Sequence, residues 1–193
     1  MDLNNFVTTK VVSEDLSSFL CQCMDDTPDN IWETHSWTSS DSHDARVVND
    51  DDSEYRICFE NQMLPYLDHD LFGCFLDEIR DMITEYIKEF GNDTWNMTGF
   101  SQVRFSKCLT NSKMRRHVDH IYSVFDGNVK GIPVLTLNGV LNDGFKGGAF
   151  VMNGQKYMLK SGETLLFPSN FLYPHEVETI TSGVRYHFVT WVY

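Results

Sequence analysis

Near residue 100 the chain changes its hydrophobic rhythm, and that change restricts it to few architectures. Before it, over 68–90, apolar residues recur at three- and four-residue steps: Leu71, Phe72, Phe75, Leu76, Ile79, Met82, Ile83, Tyr86, Ile87 and Phe90. That is the period of an amphipathic helix, and Gly91 stands where such a helix stops. After it come short apolar runs at 100–108, 115–120, 132–141, 148–152, 163–167, 176–180 and 184–192. Turn residues separate them at Asp126-Gly127, Asn142-Asp143-Gly144, Asn153-Gly154 and Ser161-Gly162. Many short strands at regular spacing predict a sandwich or barrel.

Upstream, 6–12 reads as a strand and Ser13 as the cap of a helix from 14 to about 24, with Glu14 and Asp15 in its first turn. Residues 31–38 look extended. Residues 39–54 are polar and acidic, read as an exposed loop broken by a short strand at 45–48. There is no internal repeat. Helices first and strands later predict an α+β, mainly β fold: a jelly roll, or double-stranded β-helix, buttressed by N-terminal helices. At 193 residues the expectation is one domain over 1–193, with its working core at about 100–193.

No stretch approaches the roughly 20 apolar residues of a membrane span, and residues 1–10 lack the basic and apolar segments of a secretory signal. The sequons at Asn92 and Asn96 are therefore read as chance. The five cysteines (Cys21, Cys23, Cys58, Cys74, Cys108) are odd in number and irregular in spacing, which fits reduced thiols in the cytoplasm. Residues 1–99 hold 22 acidic and 5 basic side chains, a net of -17, whereas 100–193 hold 6 and 10, a net of +4. Such an acidic half disfavours nucleic acid as a partner. The basic group Lys107, Lys113, Arg115 and Arg116 reads as a solvated loop.

Chemistry concentrates in three places. In Met114-Arg-Arg-His117-Val-Asp119-His120, residues two apart on a strand share a face, so His117 and Asp119 project together and His120 projects away. Alone, the pair is as well explained as an exposed polar pair. Tyr173-Pro-His175-Glu-Val follows an apolar strand and can bring a third ligand from across a jelly roll. Two histidines and a carboxylate on one side of an octahedral metal form the facial triad of non-haem iron(II) oxygenases. The third place is Gly183-Val-Arg185-Tyr-His187-Phe-Val-Thr-Trp191, where Arg185, His187, Val189 and Trp191 share a face. An arginine on an otherwise buried strand calls for an anion, and a bidentate guanidinium suits a carboxylate.

Taken in order, these motifs resemble the prolyl hydroxylase branch of the iron(II)/2-oxoglutarate oxygenases over roughly residues 100–193. The matching pieces are His117-Val-Asp119, Leu141-Asn142, Gly147-Gly148, Leu165-Leu-Phe167, His175-Glu-Val177, Arg185-Tyr186 and Trp191. The resemblance implies iron(II) held by His117, Asp119 and His175, and 2-oxoglutarate anchored by Arg185 with help from Thr136. It implies a dioxygenase that hydroxylates a prolyl residue of a peptide or protein, releasing succinate and carbon dioxide, with ascorbate as a candidate reductant. No side-chain catalyst beyond the metal ligands is needed, since the cofactors carry the chemistry. The family's oxoacid-contacting tyrosines fall at Phe105 and Val140, with Thr136, Asn138 or His187 as substitutes for the lost hydroxyls.

Blander readings stand beside these. His120 and His187 read as structural, Trp191 as a pocket wall or core residue, Gly147-Gly148 as a bulge feature, and His35, His43 and His69 as unpatterned. Two histidines and a carboxylate also serve zinc hydrolases. The alternatives are the same oxidation of a free amino acid, small metabolite or nucleobase, or a jelly-roll binding protein without catalysis. The acidic 41–54 segment is read as a substrate lid that favours basic polypeptides.

Overall fold

The computed structural model describes residues 2–39, 46–49, 55–91, 99–119 and 132–193, and at 36–39 and 46–49 the backbone alone. Most of the acidic segment, the two sequons, His43, His120 and the Asp126-Gly127 turn lie outside the described residues. The N-terminal half contains β1 (Thr8–Val11), α1 (Glu14–Asp26), β2 (Glu33–Thr34), β3 (Ser36–Ser39), β4 (Arg46–Asn49), β5 (Tyr55–Phe59), α2 (Glu60–Met63) and α3 (His69–Phe90). The C-terminal half contains β6 (Arg104–Cys108), β7 (Met114–His117), β8 (Leu135–Val140), β9 (Lys146–Gly147), β10 (Phe150–Met152) and β11 (Gln155–Tyr157). It ends with β12 (Glu163–Pro168), β13 (His175–Val177), β14 (Ile180–Ser182) and β15 (Arg185–Val192).

Among the described residues, the large sheet runs β1-β12-β8-β15-β6-β5-β2 and the small one β11-β10-β13-β7, with two-stranded pairs β14-β9 and β3-β4. Every pairing is antiparallel. Alternation along β15 divides its residues between two cores. Tyr186, Phe188 and Val192 face the helices and join Phe105, Leu135, Leu137 and Leu166 in one buried cluster. There α3 lays down Phe72, Phe75, Ile79, Met82, Ile83 and Tyr86, the apolar stripe of its sequence. The Phe75 ring meets Phe188 edge-on at 5.1 Å. The opposite face of the large sheet packs Leu165 and Phe167 against Met114, Phe150, Met152 and Val177 of the small sheet. The functional candidates lie between these two sheets.

The start and stop of α3 have different causes. Asp68 Oδ1 accepts from the Asp70 and Leu71 amides at 3.0 Å, satisfying two donors that the helix leaves unpaired. Gly91 ends the helix in extended backbone (φ -79°, ψ 176°), so the stop needs no left-handed glycine. Ser13 precedes α1 but makes no side-chain cap; its amide donates to Glu78 of α3 instead. The expected 100–108 strand begins only at Arg104, and Phe100 merely bridges Val192. The 176–180 strand splits into β13 and β14, and the β11 hairpin strand was absent from the sequence reading. The split follows from Gly147 and Gly148, both left-handed (φ 79° and 66°). They bring backbone so close to 179–180 that a Cβ would lie 2.2 Å from Thr179 O or 2.4 Å from Ile180 Cδ1.

Candidate metal and anion site

β7 and β13 lie side by side with His117 opposite His175 and Met114 opposite Val177. Three steps on one strand thus match two on the other, and this bulge turns both histidines toward the large sheet. His175 is 4% exposed, stacked on Phe150 and met edge-on by Phe167, each with centroids 5.0 Å away. Its Nδ1 lies 3.0 Å from Tyr173 O, and His117 Nδ1 lies 2.7 Å from Arg115 O. A carbonyl can only accept, so each Nδ1 carries a proton, and Nε2 is the ring nitrogen turned to the other residues of the cluster. Burial, the largest influence, lowers the His175 pKa, opposed by Asp119 and assisted by His117, which leaves that ring neutral.

The sequence reading placed Asp119 on the strand with His117. Instead β7 ends at His117 and Asp119 stands in a bend. The carboxylate still converges: Oδ1 is 3.4 Å from His117 Nε2 and 3.7 Å from His175 Nε2. The ligand atoms of all three residues lie within 4.8 Å of one another, a cluster that could hold one metal ion. Asp119 Oδ2 accepts from Thr136 Oγ1 at 2.6 Å, and that hydroxyl also meets Ser169 Oγ at 2.7 Å. Burial pushes the Asp119 pKa up. The His117 hydrogen bond, the charges of His175 and His117, and the Thr136 hydroxyl outweigh it and hold the carboxyl well below its usual range. Two imidazole nitrogens and an ionised oxygen on one side of a void are a donor set for a divalent cation.

Beside this cluster, between the sheets, is a cleft of about 300 Å³, including its open mouth, lined also by Tyr55, Arg104, Asn138 and His187. Arg185 is 1% exposed, and neither Nη1 nor Nη2 has a hydrogen-bond partner among the described residues. Ser106 Oγ, Asn138 Oδ1, His187 Nδ1 and Trp191 Nε1 are likewise buried without partners. The groups nearest the arginine stay neutral. Burial raises Cys108 to about 11 against the pull of Arg185, and burial also raises Tyr55. Burial first, then Arg185 and Arg104, lowers His187 well below its ordinary value. The Tyr55 hydroxyl lies 2.6 Å from His187 Nε2. That contact ties the Tyr55 hydroxyl to the imidazole beside Arg185. A buried cation surrounded by neutral groups costs several kcal/mol unless an anion joins it. The cluster therefore fits a carboxylate ligand.

Three sequence expectations change here. Phe105 is not a pocket residue: a one-residue step reverses the face, and its ring packs on Phe72 and Phe75 on the helix side. Its neighbours Arg104 and Ser106 face the cleft instead. Thr136 is opposite Trp191 in register, six residues along β15 from Arg185, and its hydroxyl is committed to Asp119. It therefore orients a metal-ligand candidate and lies away from the guanidinium. A hydroxyl near Arg185 is supplied instead from another strand by Tyr55, opposite Cys108 in register. His35, with its ring centroid 5.2 Å from that of Tyr55, has a partner after all. Val140 and His187 pair at the level of the arginine, and Asn138 lines the cleft. Trp191 lies under the Arg104 guanidinium at 5.0 Å. The strict alternation Arg104, Ser106, Cys108 was the available signal for the missed residues. Tyr55 gave none, because its role depends on strand order.

Residues 103–193 match the family model of the 2OG-Fe(II) oxygenase superfamily. A PKHD-type hydroxylase from Rippkaea orientalis is 34% identical over 92 residues, which cover 46% of this chain and 40% of that protein. A prolyl hydroxylase from Trichoplax adhaerens, solved with a hypoxia inducible factor oxygen degradation domain peptide fragment, superposes with a TM-score of 0.69 at 16% identity, covering 98% of this chain and 84% of that one. A Pseudomonas putida prolyl-4-hydroxylase gives a TM-score of 0.68 at 14% identity, covering 97% and 91%. A viral collagen prolyl hydroxylase from Paramecium Bursaria Chlorella virus-1, solved as its 2OG complex, gives 0.62 at 14% identity, covering 97% and 94%. These likenesses establish the jelly-roll fold.

Proposed function

We propose, from the match of residues 103–193 to the model of the 2OG-Fe(II) oxygenase superfamily, that this chain is an iron(II)- and 2-oxoglutarate-dependent dioxygenase hydroxylating a prolyl residue in a peptide or protein. The observation that carries the reading is the pairing of a three-ligand cluster with a buried guanidinium whose terminal nitrogens are unpartnered. His117 Nε2, Asp119 Oδ1 and His175 Nε2 would hold iron(II), and Arg185 the distal carboxylate of 2-oxoglutarate. When bound, these cofactors supply the oxidation, one oxygen atom of dioxygen entering succinate with loss of carbon dioxide and the other a substrate C–H bond. The chain binds and aims. Thr136 fixes the Asp119 carboxylate, the two backbone carbonyls orient the imidazoles, and the hydrogen-bonded Tyr55–His187 pair lines the cleft near Arg185. Phe150 and Phe167 wall His175 from water.

The prolyl substrate follows from likeness to prolyl hydroxylases, one of them solved with a peptide. Because helices and sheet share one buried cluster from Val12 to Val192, residues 1–193 are read as one catalytic domain. Five free cysteines support a cytoplasmic setting, and no described helix is long and apolar enough to cross a membrane. The test is anaerobic addition of iron(II) and 2-oxoglutarate, watching for the visible charge-transfer band of the chelate, followed by succinate release with prolyl peptides. A band lost in His117→Ala and needing far more oxoacid in Arg185→Ala is the expected result. Folded, iron-loaded protein without a band would remove the oxoacid and favour a binding protein.

A further inference from the structure

The cleft holds a second arginine that the proposed cofactors leave unused. Arg104 projects from β6 among the side chains that line the cleft, as do His117, Asp119 and His175. Its guanidinium lies over the Trp191 ring at 5.0 Å, and its buried Nε has no hydrogen-bond partner. It makes no ion pair with a carboxylate among the described residues. Register separates it from the other arginine. Arg185 is opposite Cys108, whereas Arg104 is opposite Val189, four residues further along β15. At a strand rise of about 3.3 Å per residue, their backbones are about 13 Å apart. One small dianion that meets both Arg185 and the metal cluster has no carboxylate left for Arg104.

Charge gives the same answer. Arg104 lines the cleft and Arg185 acts with it on the cleft residue His187, whereas among the described residues one carboxylate, Asp119, lines the cleft, with His175 and His187 neutral. Iron(II) and dianionic 2-oxoglutarate cancel each other, so the loaded cleft keeps one uncompensated positive charge. The Trp191 ring holds the guanidinium from one side, and its buried Nε has no partner among the described residues, so it can meet a carboxylate.

The structure assigns Arg104 as the residue that selects the substrate, by pairing with a carboxylate held close to the carbon to be oxidised. This rests on the dioxygenase reading above and narrows its substrate class. The carboxylate can come from an acidic side chain beside the target residue or from the free carboxyl of an amino acid. The acidic N-terminal half would still attract basic regions of a partner at long range, but a basic group at the reacting position would be repelled.

The experiment compares carboxylate and amide twins binding to full-length protein loaded with manganese(II) and 2-oxoglutarate. The probes are short prolyl peptides with Glu or Gln at each position flanking the proline, and L-proline against L-prolinamide. A charge-assisted pair predicts that at least one carboxylate member binds about tenfold or more tighter than its twin. Whether that pair is a peptide or proline itself identifies the source. Arg104→Gln should abolish the preference and leave 2-oxoglutarate affinity unchanged, while Arg104→Lys, which keeps the charge, should retain part of it. Circular dichroism confirms that both variants fold. Absence of a tenfold preference in every wild-type pair, including absence of binding, overturns the assignment, as does a preference that survives Arg104→Gln. Loss of 2-oxoglutarate binding in Arg104→Gln overturns it too, moving the residue to the oxoacid site. Failure of the dioxygenase reading is distinguishable, because wild type would then lack the iron(II)–2-oxoglutarate band whatever the twins do.

Discussion

Replacing Arg185 with methionine should change stability and ligand binding in opposite directions. The side chain is 1% exposed, and both terminal nitrogens lack partners. Without an anion it is a buried, uncompensated cation, and exchange of such a group for an apolar one of similar length often stabilises by about 1–4 kcal/mol. For a chain of this size, 1 kcal/mol shifts Tm by about 2–4 °C. Ligand-free Arg185→Met should therefore melt at least about 2 °C above wild type. With manganese(II) and 2-oxoglutarate the wild type should regain about 2 kcal/mol on the variant. A bidentate charge-assisted pair contributes about 3–4 kcal/mol, so affinity for the oxoacid should fall about 100- to 1,000-fold. At about 100 times its Kd the oxoacid stabilises wild type by about 2.7 kcal/mol, and the variant should gain almost nothing at that concentration. Thermal melts with and without the oxoacid, alongside calorimetric titration, read both effects. A ligand-free variant less stable than wild type, with unchanged oxoacid affinity, would refute the reasoning.

Other consequences can be measured separately. Thr136→Val removes the donor to Asp119 Oδ2 and should weaken manganese(II) binding about 10- to 100-fold in a metal titration, as loss of an orienting partner does. His187 is held neutral in the fold, its pKa lowered by burial first and then by two arginines. Below the unfolded value of 6.5 the unfolded chain binds a proton that the native one refuses, so stability falls as pH drops through that point. In urea melts from pH 7.5 to 5.5, His187→Gln should make that fall shallower by up to about 1.4 kcal/mol per pH unit. Phe75→Ala opens a hole between α3 and the Phe105–Phe188 face and should cost about 3–5 kcal/mol of unfolding free energy in a urea titration.

Two kinds of information were written locally in the sequence. One is periodicity: α3 was legible because its apolar residues repeat at the helical period, and the strands because theirs alternate between short turns. The other is the identity of rare groups. His117, Asp119 and His175 were named as a cluster, and Arg185 as a buried charge, because few side chains suit those tasks. Face assignment was legible only where the strand limits were right. Reading 100–108 as pocket wall through Phe105 chose the wrong parity, since a residue's face depends on which neighbour the strand pairs with and not on its own polarity.

Tertiary structure decided the rest, and each case involves groups far apart in the chain. Asp119 converges on the histidines from a bend, because a bulge in the β7–β13 pairing and the Thr136 hydroxyl from β8 hold it there. Tyr55 reaches His187, 132 residues away, only because β5 adds to the sheet beside β6. That Arg104 makes no ion pair with a carboxylate among the described residues is also a property of strand order. Local pattern fixes which side chains share a face of one strand. Which faces meet, and which charges are left without a counter-charge, is set by pairing between strands that the sequence does not encode at short range.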